Sequence, residues 1–238
     1  MTGRARPFAG PGPTDVRRGR RTLRLAHRGE HRRETENTIP AFLAAMEKPS
    51  CDGLEFDVRQ SRDGVPVLCH DPTLQRVQGR PEAVADLSAA ELEALGLPTL
   101  AAVLAAVPRR AFLDIEIKEV LGRPLLEVLA GGRGPDLTNA VVSSFDHAAL
   151  RRMRGLAGGW PLWFNAMDLT PPTIALAAEL DCAGISAEYH GIDERGVDRA
   201  REAGLEVAAW TVTRRPTYAR MVELGVVAVC AEGPALDG

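Results

Sequence analysis

The chain has 238 residues, a length that suits one large domain or two small ones. Its hydrophobic fraction of 45% and charged fraction of 26% are ordinary for a globular protein. A net charge of −3 gives no reason to expect nucleic acid as a partner, and no apolar run approaches the ~20 residues of a membrane-spanning helix, so we expect no stable membrane insertion.

The first 21 residues are rich in Arg, Gly and Pro and lack the apolar segment of a secretory signal. The run from Gly10 to Pro13 argues against the helix of a transit peptide, and we expect residues 1–21 to form a disordered basic tail. The four cysteines form no CxxC pair, which is typical of free thiols in a reducing compartment. These features predict a cytoplasmic protein.

The remaining chain alternates between short apolar strands and helical stretches. Residues 22–26 are predicted to form a strand, and residues 38–48 a helix with apolar side chains at i, i+3, i+4 and i+7. A strand at 53–58 is followed by a hairpin-like excursion through 65–69. Further strands are predicted near 111–117, 139–143, 160–164, 182–186, 205–210 and 226–230, and helices near 122–130, 146–154, 172–180, 193–203 and 215–224.

Eight strands separated by helices predict right-handed βαβ units and a parallel sheet. Eight such units in a chain of ~250 residues are typical of a (β/α)8 TIM barrel of the α/β class. The competing fold is a doubly wound open sheet, but its glycine-rich turn after the first strand is missing, since His27-Arg28-Gly29 is not GxGxxG. Residues 231–238 are too few for a normal eighth helix. We therefore expect the barrel to be either covered there by N-terminal residues or left open.

Two carboxylates share one face of the second strand. Glu55 and Asp57 lie at i and i+2, about 7 Å apart at ~3.3 Å per residue. Carboxylates this close repel, so they need a shared proton, a basic neighbour or a cation. The alternatives are therefore an ion pair with Arg28 or Lys118 and a metal site.

The barrel prediction requires functional groups at the carboxyl ends of the strands. Polar and aromatic residues are predicted there on four strands: His27 on the first, Glu55 and Asp57 on the second, Glu116 and Lys118 on the third, and Trp210 on the seventh. Three converging carboxylates suit Mg²⁺ or Ca²⁺ better than zinc, which prefers nitrogen and sulfur.

The charges beside these carboxylates indicate an anionic substrate. Arg28 and Lys118 are suited to bind a phosphate. His27 and His70 could serve as general acid and general base, because imidazole titrates near neutral pH. Together the three sets of residues predict metal-assisted hydrolysis of a phosphoester.

Short motifs along the chain also carry a family resemblance. In order they are His27-Arg28-Gly29, Glu36-Asn37-Thr38 with Ala41-Phe42, Gly53 to Val58, Asp63-Gly64, His70-Asp71, Leu97 to Leu100, Ile115 to Lys118, Ser143 to Phe145 and Trp210 to Val212. This ordered series, over about residues 23–234, resembles the glycerophosphodiester phosphodiesterase family.

The resemblance implies a distorted (β/α)8 barrel in residues 22–238, with a small insertion at 61–97, that hydrolyses glycerophosphodiesters to sn-glycerol 3-phosphate and an alcohol. It implies the following roles: His27 and His70 as the acid/base pair, Glu55, Asp57 and Glu116 as ligands of Mg²⁺ or Ca²⁺, Arg28 and Lys118 as phosphate contacts, and Trp210 on the glycerol side. The implied partner is a small-molecule glycerophosphodiester.

The chain departs from the family pattern in two places. Thr35 stands where the family usually has proline, and Ala231 to Pro234 replaces a usual Thr-Asp-x-Pro, which puts the eighth loop in doubt. Two other functions remain open at this point. One is a lysophospholipase D or phospholipase D type of activity on lipid phosphodiesters; the other is a catalytically inactive barrel that binds a phosphodiester.

Overall fold

Eight parallel strands close into a barrel in the computed structural model of this protein, which describes residues 21–238. β1 pairs with both β2 and β9, so the sheet is a closed (β/α)8 barrel and the doubly wound alternative is excluded. A ninth strand, β3, pairs antiparallel with the end of β2. The strands are β1 Leu23–His27, β2 Gly53–Gln60, β3 Pro66–Leu68, β4 Phe112–Ile117, β5 Ala140–Ser144, β6 Leu162–Ala166, β7 Gly184–Glu188, β8 Glu206–Val212 and β9 Ala228–Ala231.

Two strands extend further than the sequence predicts. The pairing of β2 with β4 ends at Val58, but the residues from Val58 to Gln60 pair with β3, which prolongs β2 above the barrel wall. Glu55 and Asp57 therefore lie within β2 rather than at its end. Trp210 likewise lies two residues before the end of β8.

The helices surround the barrel and begin close to the predicted positions. They are α1 Ile39–Met46, α2 Gln75–Gln78, α3 Ala89–Ala94, α4 Leu100–Ala106, α5 Arg123–Arg133, α6 His147–Leu156, α7 Pro171–Glu179, α8 Glu194–Glu202, α9 Arg215–Leu224 and α10 Gly233–Asp237. α1 ends earlier than predicted because Pro49 disfavours helical backbone in the residue before it. Ser88 and Glu91 form a capping box at the start of α3. No helix in the described range is long and apolar enough to cross a membrane.

Side chains alternate between the barrel interior and the surrounding helices. Phe112, Trp163 and Cys230 belong to the interior cluster, whereas the residues next to them along each strand pack against the helices. Residues 61–97, the predicted insertion, have a third small cluster of their own. Because the period is two, a polar residue two or four positions after an interior apolar residue points into the mouth of the barrel.

A short helix, α10, follows the last strand and packs against β1 and α9. α10 has only five residues, and Leu236 within it is buried. Asp237 pairs with Arg32 at 2.7 Å and with Lys48 at 2.8 Å, which holds α10 against the loop that follows β1. The basic tail predicted for residues 1–21 lies, apart from Arg21, outside the described residues.

Glu30 joins the same ion-pair cluster and is expected to make the protein sensitive to acid. It is only 7% exposed and lies 2.6 Å from Arg32 and 3.0 Å from Lys48. The hydrogen bond from Arg32 lowers the pKa of Glu30 from its ordinary value of 4.5 to about 2, although burial opposes the shift. A lowered pKa in the folded state adds stability above the ordinary pKa, and this stability is lost as the pH falls from 4.5 through 2.

We therefore expect Glu30→Gln to flatten the acid side of the stability profile. Between neutral pH and pH ~2, the free energy of unfolding of the wild type should fall by about 1–2 kcal/mol more than that of the variant. This value is smaller than the pKa shift alone would give, because Arg32 is half exposed and solvent screens its charge. Urea unfolding at a series of pH values measures this, with the exposed Glu34→Gln as control. Parallel profiles for wild type and Glu30→Gln would contradict the assignment.

Candidate active site

A cavity of about 210 Å³ opens at the carboxyl end of the barrel strands. Seven of the eight predicted site residues line it: His27, Arg28, Glu55, His70, Glu116, Lys118 and Trp210. The eighth, Asp57, is 0% exposed and contacts Arg28 and Lys118 of this cavity. The structure thus brings all the predicted site residues together.

Four carboxylates meet at one side of the cavity because of strand register. Asp57 of β2 is the partner of Glu116 of β4, and Glu55 is the partner of Asp114. Glu55, Asp57 and Glu116 are buried and offer oxygens that all lie within 4.8 Å of one another. The hydroxyl of Ser143 donates a 2.5 Å hydrogen bond to Asp114, which holds the fourth carboxylate in place.

Two bases contact this acidic group. Lys118 Nζ lies 2.8 Å from Asp57 Oδ1 and also contacts Glu116. Arg28 Nε lies 3.2 Å from Asp57 Oδ2. Arg28 has a left-handed φ of 56°, and its backbone N–H donates a 2.9 Å hydrogen bond to the Glu55 carbonyl. The ion pairs considered in the sequence analysis are therefore present, but they do not neutralise the whole group.

The pKa values show where negative charge remains uncompensated. Burial, followed by the charges of Asp57 and Glu116, raises the pKa of Glu55 well above its usual range. Burial also raises the pKa of Asp114 to about 7. Burial acts in the same direction on Asp57, but the charges of Lys118 and Arg28 outweigh burial and lower the pKa of Asp57 to about 2. Four acids facing two bases thus favour protons, or a cation, at Glu55 and Asp114.

The acidic group has the composition that a hard divalent cation requires. Its ligand atoms are carboxylate oxygens, which Mg²⁺ and Ca²⁺ prefer. Glu55 Oε1 is buried and accepts no hydrogen bond from any residue between 21 and 238. A buried carboxylate oxygen without a partner is costly, and a bound cation would remove that cost. The residues therefore fit the cation that the family resemblance implies.

Each of the two predicted histidines is held by a carboxylate at its Nδ1 atom. His27 Nδ1 lies 2.5 Å from Glu232 Oε1, and His70 Nδ1 lies 2.6 Å from Asp71 Oδ1. A carboxylate on Nδ1 keeps a proton there and leaves Nε2 as the reactive nitrogen. His27 Nε2 is 3.7 Å from Glu55 Oε2, so this nitrogen faces the acidic group. Burial lowers the pKa of His70, which favours its neutral form.

A chain of ion pairs connects the loop after β1 with the loop after β3. Arg76 of α2 lies 2.5 Å from Asp71 and 2.7 Å from Glu36. Glu36 in turn accepts a 3.1 Å hydrogen bond from Arg28. The orientation of His70 and that of Arg28 are therefore linked through Arg76.

The opposite side of the cavity is neutral. Phe145 packs edge-on against Trp210 with ring centroids 5.4 Å apart. The indole N–H of Trp210 donates a 2.9 Å hydrogen bond to the carbonyl of Ser186. Asn165 of β6 and Ser186 of β7 are register partners and line the cavity beside this aromatic pair.

Sequence reasoning missed several residues of this site. Asn37 belongs to the Glu36-Asn37-Thr38 motif but was assigned no role, and it exchanges two hydrogen bonds with Asp57, at 2.8 and 3.2 Å. Glu232 follows the last strand, the position at which the barrel prediction looks for functional groups, yet it was considered only as a departure from the family pattern. Asn165 is the polar residue in the otherwise apolar strand Leu162–Ala166, and this contrast could have identified it as a candidate site residue.

Oxygen ligands beside fixed positive charges, at the carboxyl ends of barrel strands, are typical of TIM-barrel enzymes that act on phosphorylated substrates. Comparison with known proteins makes this more specific. The profile of the glycerophosphoryl diester phosphodiesterase family matches residues 27–236, and the chain belongs to this family of phosphodiester hydrolases.

Individual relatives agree with the family match. The chain is 28% identical to the glycerophosphodiester phosphodiesterase of Caldanaerobacter subterraneus, over 90% of this chain and 95% of that protein. The glycerophosphodiester phosphodiesterase of Thermotoga maritima superposes with a TM-score of 0.77 at 25% identity, covering 92% of this chain and 96% of the other. A phosphodiesterase of Oleispira antarctica, solved in complex with the product sn-glycerol-3-phosphate, shares the fold with a TM-score of 0.79 at 23% identity, covering 92% and 95%. The predicted family and fold are confirmed.

Proposed function

We propose that this protein hydrolyses glycerophosphodiesters to sn-glycerol 3-phosphate and an alcohol, using a divalent cation and the acid/base pair His27 and His70. The observation that carries the proposal is the pairing of both histidines with carboxylates through Nδ1, beside three buried acids in one cavity. The names of the relatives and the product bound to the Oleispira antarctica phosphodiesterase support the choice of substrate.

Glu55, Asp57 and Glu116 would hold the cation, which is Mg²⁺ or Ca²⁺ by the chemistry of its ligands. When bound, such a cation supplies a Lewis acid that withdraws charge from a phosphoryl oxygen. Asn37 fixes the Asp57 carboxylate from the far side through its amide N–H.

Arg28 and Lys118 bind the phosphate. Burial would lower the pKa of Lys118, but Asp57 and Glu116 raise it, so the ammonium group keeps its charge. Arg28 is held by Asp57 and Glu36 and presents its guanidinium group to the cavity. Charged donors fixed in this way stabilise the charge that develops on phosphoryl oxygens without having to reorganise.

The two histidines move the protons. One accepts a proton at Nε2 from the nucleophile, which is water or a hydroxyl of the substrate, and the other donates its Nε2 proton to the leaving alkoxide. Glu232 and Asp71 accept the Nδ1 protons in hydrogen bonds, which leaves Nε2 of each ring to exchange a proton with the substrate. Trp210, with Phe145 packed against it, forms the wall on the glycerol side.

Release of sn-glycerol 3-phosphate from glycerophosphocholine tests the proposal directly. We expect turnover with Mg²⁺ or Ca²⁺ and its loss in EDTA, restored when the cation is returned in excess. A panel of glycerophosphodiesters and lysophospholipids run in parallel would define the accepted alcohol. Turnover of lysophospholipids alone would contradict the proposed substrate, and full activity in EDTA would contradict the cation.

A further inference from the structure

Asn165 is a buried residue whose side-chain oxygen has no hydrogen-bond donor among the residues that the structure describes. Its side chain is only 5% exposed and lines the cavity described above. The side-chain oxygen accepts no hydrogen bond from any residue within 21–238. Asn165 lies two residues after Trp163, which belongs to the barrel interior, so the alternation of β6 directs it inward and toward the mouth.

The chemistry of an amide restricts what it can bind. A side-chain amide both donates and accepts hydrogen bonds, which makes it complementary to a hydroxyl group. A phosphate dianion only accepts hydrogen bonds, so it would leave the buried oxygen of Asn165 without a donor. Because buried polar groups are nearly always paired, a ligand hydroxyl is the kind of partner that this position lacks.

The two sides of the cavity match two different parts of a phosphodiester substrate. The side formed by β1, β2 and β4 carries the charged groups. The side formed by β5 to β9 is neutral and consists of Phe145, Asn165, Ser186, Trp210, Thr211 and Cys230. With a divalent cation held there beside Arg28 and Lys118, the first side would attract an anionic phosphate, which leaves the neutral, hydroxylated part of a phosphodiester next to Asn165.

We propose that Asn165 determines specificity by hydrogen bonding to a hydroxyl of the glycerol moiety, with Ser186 beside it on the neighbouring strand. The proposal rests on the proposed function for the identity of the hydroxylated group. It adds the residue that distinguishes a glycerol phosphodiester from a simple alkyl phosphodiester.

Binding of two matched ligands tests this without turnover. sn-Glycerol 3-phosphate and n-propyl phosphate carry the same phosphate and carbon chain, and only the first carries hydroxyls. Dissociation constants are measured by calorimetry in Mg²⁺ for the wild type, Asn165→Leu and Asn165→Ala. We expect the wild type to prefer sn-glycerol 3-phosphate by about 10- to 100-fold, the range for one or two hydrogen bonds to a buried group.

In both variants the dissociation constants of the two ligands should differ by no more than about 3-fold. The affinity for n-propyl phosphate should stay unchanged, because the substitutions remove only the contact with the hydroxyl. Asn165→Leu should also melt at or above the wild-type temperature, since it removes a buried amide oxygen that accepts no hydrogen bond from residues 21–238. Asn165→Ala provides the same comparison in a side chain too small to clash with its neighbours.

An unchanged preference in the variants, an equal loss for both ligands, or no preference in the wild type would overturn the proposal. The outcome is separate from that of the proposed function. If the wild type discriminates between the ligands but does not hydrolyse glycerophosphocholine, the proposed function fails and the hydroxyl subsite stands. If it hydrolyses glycerophosphocholine without discriminating, the subsite alone fails.

Discussion

His27→Ala is expected to lower kcat/KM for glycerophosphocholine by about 10²- to 10⁴-fold, the usual contribution of a positioned acid or base. His70→Ala should have an effect of similar size, because both rings present Nε2 to the same cavity. Steady-state kinetics measure the loss, and unchanged circular dichroism shows that the fold is retained. Full activity in either variant would contradict the mechanism.

Glu232 provides the matched comparison for His27. Its carboxylate orients the ring but is not expected to reach the substrate, so Glu232→Gln should cost about 10- to 100-fold, as when the carboxylate behind a metal-bound histidine is removed. The double variant of His27→Ala and Glu232→Gln should be no slower than His27→Ala alone, because Glu232 acts through the histidine. Multiplicative losses would show that Glu232 has a separate role.

A second substrate assigns the two histidines. Bis(p-nitrophenyl) phosphate releases p-nitrophenolate, which leaves readily without being protonated. The variant that lacks the general acid should therefore lose much less activity on this substrate than on glycerophosphocholine. The variant that lacks the general base should lose about the same on both. Equal behaviour of the two variants would contradict a division into acid and base.

Mg²⁺ or Ca²⁺ is expected to raise the melting temperature of the wild type by roughly 5–10 °C at a concentration ~100 times its dissociation constant. This stabilisation should disappear in Glu55→Gln, Asp57→Asn and Glu116→Gln, and kcat/KM in saturating cation should fall by ~10³-fold. The exposed Glu34→Gln should respond to the cation as the wild type does.

Without a cation, the same variants should shift stability in opposite directions. Glu55→Gln should be neutral or slightly stabilising, because burial and the neighbouring acids raise the pKa of Glu55, and glutamine resembles its neutral form. Asp57→Asn should destabilise by about 1–3 kcal/mol, because Arg28 and Lys118 lose the partner they share and keep only Glu36 and Glu116, respectively. If both variants were destabilised equally, the charge imbalance inferred for this group would be wrong.

The barrel could be predicted because its information is local. Strand and helix periods, and the order of the segments, place eight strands close to their observed positions. The ends of elements were less certain. β2 continues to Gln60 only because β3 returns to pair with it, and the pairing of β1 with β9 closes the barrel through residues about two hundred positions apart.

Part of the site could likewise be predicted from local patterns in the sequence. A two-residue period and the carboxyl ends of parallel strands were sufficient to predict that Glu55, Asp57 and Glu116 converge, because both rules depend on backbone geometry rather than on the details of packing. The carboxyl end of the first strand likewise predicted His27, and the family motifs supported His27 and His70 as the acid/base pair. Four of these five residues line the cavity at the mouth of the barrel, and the fifth, Asp57, is buried against Arg28 and Lys118.

Side-chain pairing across the barrel could not be predicted in this way. Glu232 lies 205 positions from His27 in the chain, and only closure of the barrel brings them to 2.5 Å. The partner that Asn165 lacks is visible only once every neighbouring side chain has been placed. Local periodicity therefore determines which residues face the mouth of the barrel, whereas their partners and the charge balance among them depend on distances between strands that no local pattern encodes.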